Sequence, residues 1–257
     1  SNYLLVNEKS LPIIDINILF NFGSKNDLSQ KGITNFSVEL LHQQKYKNKK
    51  FINTFEEIGA QFSSSVSRES TSISIRFINT EKNLTIISSM LGKMLSNKDI
   101  SNETFELTKE SILKNIKARE LDPSSILSYK SNEEYFSNTN LSHPINGYEE
   151  NIIKISIDDI KQHLISLITQ NGIKVSFVGD IDNSQAANFI SNLLVDIPND
   201  HKKIVDTELN NLNVASKTIN FKHDSEQTHI SIMIPAVTRE DDDFYNLLVA
   251  NYIFGGS

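Results

Sequence analysis

No cysteine occurs among the 257 residues. Disulfides, cysteine-ligated zinc, iron–sulfur clusters and cysteine nucleophiles are all excluded by that one absence. Compartment stays open, because a cysteine-free chain survives any redox poise. No apolar run approaches the ~18 residues a membrane-spanning helix needs. A basic face is missing too: 25 Lys and Arg stand against 32 Asp and Glu for a net charge of -7, and the cations are scattered. Sequence-independent nucleic-acid binding requires such a face, so that class is set aside. The first residues carry no secretory signal. Ser1-Asn2 reads as a tag-cleavage scar, so this says little against export. What is present is 38% apolar and 22% charged residues, enough for a core in one large domain or two modest ones.

The pattern along the chain predicts an α+β fold. Residues 3–7 and 12–20 read as strands, the second with Ile14, Ile16, Ile18 and Phe20 on one face, joined as a hairpin by Glu8-Lys9-Ser10. Helices are predicted near 33–43 and 51–58, the latter stopped by Gly59. Strands follow at 60–66 and 69–78. The second sets Ser70, Ser72, Ser74 and Arg76 against Thr71, Ile73, Ile75 and Phe77. Apolar spacings of three and four then predict helices over 81–95, 101–120, 123–137 and 156–170. Ser101 is read as an N-cap and Pro123 as the first position of a helix. Residues 173–179 return as a strand before a helix near 183–195. The expected architecture is an antiparallel or mixed sheet with helices packed on one face.

Residues 201–216 read as a polar linker. Beyond it the opening pattern recurs: strand, turn and strand over 217–235, then a helix over 241–254. A repeat on this scale implies a second domain similar to the first. Residues 1–200 would form the first domain and 217–257 the beginning of the second. The second copy stops at Gly255-Gly256-Ser257, so the chain is expected to be the first part of a longer polypeptide, or one product of its cleavage.

The order of elements resembles the insulinase-like (M16) family of zinc metallopeptidases, in its two-domain bacterial and mitochondrial-processing form. The resemblance rests on Leu11-Pro12, Phe22 to Asp27, Gly32 to Phe36, Ile58-Gly59-Ala60, Ser67 to Thr71, Arg119 to Pro123, His143-Pro144, Val178-Gly179-Asp180 and the closing Gly-Gly-Ser. In active members the first helix carries H-x-x-E-H. Two histidines four apart bind zinc from one helix face, and the glutamate between them is the general base. Here Asn35 stands for the first histidine, Val38 for the base and Glu39 for the second histidine. A further glutamate on a later helix completes the family's site. The matching position is Asn115, 76 residues beyond Glu39. The resemblance thus implies degenerate positions Asn35, Val38, Glu39 and Asn115, with no catalytic residue and no metal on this chain. An amide is a poor zinc ligand beside imidazole, and valine accepts no proton. A rival register pairs Glu39 with His42 as E-x-x-H.

The remaining histidines have plain readings. His143 is expected to cap or line a turn, His163 to sit in an amphipathic helix, His201 in the linker, and His223 and His229 beside the second hairpin turn. Lys45 to Lys50 reads as a solvated loop between helices. Gly179-Asp180 is no phosphate loop, with one glycine and no following lysine.

The resemblance implies a non-catalytic subunit of an M16-type assembly. Its partner would be a zinc-bearing catalytic homologue holding the zinc, or a second copy of this chain. It would help form the chamber and bind extended peptide at a sheet edge. Ser63, Ser64 and Ser65, on the strand after Ala60, are the expected substrate contacts; they read equally well as solvent-facing sheet positions. An active zinc peptidase with atypical ligands, and a scaffold or binding protein that kept the fold, are the alternatives. The resemblance to exported bacterial relatives suggests a periplasmic location, with a cytoplasmic one as the alternative.

Overall fold

The computed structural model describes residues 3–199, 216–224 and 226–255. In chain order it contains β1 (Tyr3–Asn7), β2 (Ile13–Phe20), α1 (Ile33–Gln43), β3 (Lys45–Tyr46), β4 (Lys49–Lys50), α2 (Phe51–Glu57), β5 (Gln61–Val66) and β6 (Thr71–Ile78). Then come α3 (Glu81–Ser96), α4 (Asn102–Arg119), α5 (Pro123–Tyr135), α6 (Glu149–Lys154), α7 (Ile157–Leu167), β7 (Ile173–Gly179), α8 (Asn183–Leu194) and α9 (Phe244–Phe254).

The fold is α+β, built on a mixed sheet in the order β1-β7-β2-β6-β5. Alternation gives the sheet one greasy face. Ile14, Ile16, Ile18 and Phe20 of β2, Ile73, Ile75 and Phe77 of β6, and Val175 and Phe177 of β7 are all buried. They join one core with Phe36 and Leu40 of α1, Ile87 and Leu91 of α3, Ile112 and Ile116 of α4, and Phe189 and Leu193 of α8. Each fully buried Ile or Phe side chain contributes about 1.5–3 kcal/mol. The opposite face is polar, with Asn17 donating to Ser74 across 2.8 Å and Asp15 paired with Arg76.

The expected β1–β2 hairpin does not form. β1 runs parallel to β7, and β7 lies between β1 and β2. Val175 and Phe177 are buried on the same face as β2, and a strand that apolar is worth more at the sheet centre than at its rim. Gly179 makes the tight exit from β7 possible. Its φ is +128°, and a Cβ there would lie 2.0 Å from the Ile13 carbonyl oxygen.

Several helix ends follow their capping residues. Ser101 Oγ accepts from Thr104 N–H, and Asp122 accepts from Ser125 N–H with Pro123 at the first position. Ser156 and Asp182 form reciprocal caps with Asp159 and Gln185. The helix predicted over 156–170 is α7, with the short α6 before it. Lys45 to Lys50, expected as an open loop, is a small hairpin of β3 and β4. Lys47 and Asn48 take φ of 50° and 64°, the turn that suits hairpin twist.

The strands expected over 217–235 are absent among the described residues. Ile230, Ile232 and Ile234 do alternate, but they are 80%, 73% and 71% exposed. A strand needs a neighbouring ladder, and among the described residues none lies beside them. α9 forms as expected, with no buried residue. The linker expected at 201–216 lies outside the described residues except for Ser216.

Candidate functional site

The site is built around α1, which starts without a side-chain cap of its own. Gly32 takes the left-handed conformation there (φ 94°). Asp27, from the preceding turn, supplies the missing acceptor. Its Oδ2 accepts from Gly32 N–H at 2.7 Å and its Oδ1 from Thr34 N–H at 3.0 Å. His143 Nε2 donates to the same carboxylate across 3.0 Å, and both side chains are buried. Thr34 Oγ1 is in turn 2.8 Å from His163 Nε2. Burial pushes the His163 imidazole down to about 4, against the pull of Asp27. The expectation that His143 serves a turn is met, through Asp27. His163 faces inward from α7 and holds α1.

Most of α1 is covered. Ile33, Thr34, Phe36, Ser37, Val38, Leu40 and Leu41 are buried. Only Asn35, Glu39, His42 and Gln43 reach solvent, and Asn35, Glu39 and His42 fall on one helical stripe. That stripe lies on a helix flanked by α4 and β5. On one side α4 packs through Phe105, whose ring stacks on Phe36 with centroids 5.1 Å apart. On the other side stands β5. His42 Nε2 is 2.6 Å from Ser64 Oγ, and its ring meets Phe62 edge-on at 5.3 Å. His42 is therefore a half-buried link between helix and strand. Burial holds its imidazole below the usual histidine range, while the Glu39 charge acts the other way.

The four positions that the resemblance singles out divide as follows. Asn35, Val38 and Glu39 share α1. Val38 is 5% exposed, whereas Glu39 is exposed and Asn35 partly so. Asn115 is exposed on α4, the helix packed beside α1. Among the described residues, no group of three or more His, Asp or Glu side chains could hold a metal ion. One carboxylate, two amides and a buried valine do not fit zinc: the donors are weak and no group can take a proton from a bound water. Among the described residues, Glu39 and His42 are a pair without the further ligands their rival register needs.

β5 is the outer strand of the sheet and pairs with β6. Two bonds fix the phase of its ladder. Ser67 N–H donates to Ser70 O, and Asn79 N–H donates to Pro12 O. Antiparallel alternation then assigns Ser72, Ser74 and Arg76 of β6 to β5, and Thr71, Ile73, Ile75 and Phe77 to β2. On β5 this leaves Phe62, Ser64 and Val66 with N–H and C=O turned outward. Ser64 has its side chain toward α1. Ser63 and Ser65 stand on the opposite, polar face, where Ser65 Oγ is 2.9 Å from Ser72 Oγ. The three serines thus do not share a face: only Ser64 lies on the side of α1. His42, the residue beside it, gave one sequence signal, its place one turn after Glu39.

Residues 3–148 match the model for "Insulinase (Peptidase family M16)", and residues 154–257 match that for "Peptidase M16 inactive domain". The chain is 21% identical to the uncharacterized zinc protease YmxG of Bacillus subtilis, across 99% of this chain and 61% of that protein. It is 23% identical to the non-peptidase homolog YmxG of Helicobacter pylori, across 96% of this chain and 57% of that one. The chain therefore spans about three fifths of the length of these curated relatives. A crystal structure of a peptidase M16 inactive domain from Pseudomonas fluorescens superposes with a TM-score of 0.74 at 16% identity, covering 79% of this chain and 50% of that one.

Proposed function

The chain belongs to the insulinase family of M16 peptidases, and from that premise we propose that it is a non-catalytic subunit. It pairs with a zinc-bearing homologue, forms part of a shared chamber wall, and holds extended peptide along the outer edge of β5. The observation that carries this reading is the buried Val38 where the family has its proton acceptor, flanked by Asn35 and Glu39 where it has ligands. The outward backbone groups of Phe62, Ser64 and Val66 supply what strand addition requires, a row of donors and acceptors awaiting a partner. The Helicobacter pylori relative, named a non-peptidase homolog, is in keeping with it.

Zinc content after dialysis against a metal-buffered solution is the first test, and the expected stoichiometry is near zero. The purified chain should hydrolyse no peptide alone. Co-expressed with a zinc-bearing homologue, it should form an equimolar complex more active than the homologue by itself. Stoichiometric zinc on this chain, or a homologue fully active and indifferent to it, overturns the reading. Restoring Asn35→His, Val38→Glu, Glu39→His and Asn115→Glu together should create zinc binding. A folded quadruple variant without zinc would mean that these four positions are not the site. Ser64→Pro removes an outward N–H and leaves the β5–β6 ladder intact, so it should weaken peptide binding more than Ser64→Ala, which loses only the His42 contact.

A further inference from the structure

α4 has two faces. Thr104, Phe105, Thr108, Ile112 and Ile116 are buried, and the Phe105 ring stacks on Phe36 of α1. On the opposite face Glu103, Leu107, Glu110, Lys114 and Lys117 follow one another at spacings of four, three, four and three, the seam of a coiled coil. All five are exposed, Leu107 at 59%. Beside them lies an open groove of about 550 Å³, lined by Glu103, Glu106, Leu107, Lys109, Glu110 and Leu113. Lys109 turns its ammonium away, donating to the Ile153 and Ile155 carbonyls at 2.6 and 3.2 Å. Three carboxylates and two leucines remain to face an occupant. They suit a leucine flanked by cations.

The second half of the same helix has that composition. Along the open face the acids come first, Glu103, Glu106 and Glu110, and the bases last, Lys114 and Lys117. Laid antiparallel on a copy of itself about Glu110, α4 sets Glu103 against Lys117, Glu106 against Lys114 and Leu107 against Leu113. A two-fold axis makes each of these pairs twice. The helix dipole favours acids early and bases late in any helix. It gives no reason for a pair of leucines in step with them. The ion pairs these residues already make are exposed and weak: Glu103 with Lys45 at 3.8 Å, Lys117 with Glu149 at 3.6 Å, and Lys114 with Glu110 at 2.7 Å. The last of these has a use at the axis. Glu110 there meets its own copy, and Lys114 supplies the counter-charge.

We propose that two copies of this chain associate through antiparallel α4 helices, about a two-fold axis at Glu110. The helix has 18 residues and so is about 27 Å long. That is a narrow strip beside a standard interface, so the dimer is a micromolar one, weakened by salt. The contact uses the face of α4 turned away from α1 and leaves β5 uncovered. It therefore does not rest on the peptide-binding reading above.

Sedimentation velocity on the full 257-residue chain should show a monomer–dimer equilibrium that moves toward monomer as salt is raised. Glu103→Lys combined with Glu106→Lys should be monomeric, and so should Lys114→Glu combined with Lys117→Glu. Mixed in equal amounts, the two double variants should recover the dimer, because each then presents the charges the other faces. The absence of cysteine allows a second measurement. Glu110→Cys places the only thiols of a dimer together at its axis, so mild oxidation should link that variant as a dimer. Lys82→Cys, on the exposed side of α3, should stay unlinked. A chain that is monomeric at every concentration overturns the proposal. So does a dimer that survives both charge reversals, which places the contact elsewhere, as on the exposed α9. So does a mixture of folded double variants that stays monomeric. Should either double variant lose its helical circular dichroism, the Glu110→Cys link decides, and its failure to form overturns the proposal.

Discussion

His143 Nε2 lies 3.0 Å from Asp27 Oδ2, with both side chains no more than 2% exposed, although 116 residues separate them in sequence. The same carboxylate accepts the N–H groups of Gly32 and Thr34. One buried acid therefore ties the first turn of α1 to the loop before α6. Asp27→Ala should cost about 3–5 kcal/mol, because it orphans a buried imidazole and two helix N–H groups together. His143→Ala should cost less, and the double variant less than the sum, in urea unfolding followed by circular dichroism.

His163 makes stability depend on pH. Its ordinary value is 6.5 and the folded value about 4, so between those limits the unfolded chain binds more protons than the folded one. The stabilisation is fully present above about pH 6.5 and is lost as pH falls toward 4. The expected loss is about 3 kcal/mol, following from the shift. His42, also lowered, acts in the same direction. His163→Gln should flatten the urea midpoint between pH 4 and pH 6.5.

Gly179→Ala should destabilise the sheet by about 3 kcal/mol. The positive φ strains any Cβ-bearing residue, and the Ile13 carbonyl leaves no room for one. Gly59, also at positive φ but with open space around its Cβ position, should cost only about 1 kcal/mol when replaced by alanine.

Val38→Glu alone should be destabilising, since it places a carboxyl at a 5% exposed position. Burial raises such a carboxyl, so the folded state holds its proton more tightly than the unfolded state. The penalty should therefore grow as pH rises above about 4.3. Val38→Gln should show a penalty that is flat with pH. Chemical denaturation across that range distinguishes them.

Arg76 and Asp15 form a close pair on the polar sheet face, 2.7 Å apart, yet both are exposed. Arg76→Ala should change stability by less than about 1 kcal/mol. A larger loss would mean that this face is covered in solution.

Local pattern made the helices legible. α1 begins and ends where its apolar spacing predicts, and Asp122-Pro123 and Ser101 start α5 and α4 as their chemistry requires. The family was also readable, because its short motifs keep their order and spacing along the chain. Long-range pairing was not. Nothing local to β1 distinguishes a hairpin with β2 from a ladder with β7, since both give the same alternation. Asp27 and His143 meet only after the loop before α6 has packed. Likewise Ile230, Ile232 and Ile234 alternate as a strand does, but alternation states a capacity to pair and does not supply the neighbour.

The position of β7 also dictates when the sheet can exist. Tyr3 pairs with Val175, so the first strand has no ladder until the chain has been synthesised past β7. During that interval β2 can form antiparallel pairs with β6, and β6 with β5, while β1 stays outside the structure. Closing a loop of that span is slow relative to local helix formation. Folding should accordingly show an early phase confined to β2, β5, β6 and α1, followed by a late one in which β7 inserts and β1 adds beside it. The nascent chain would carry an unpaired flank of β2 throughout that delay.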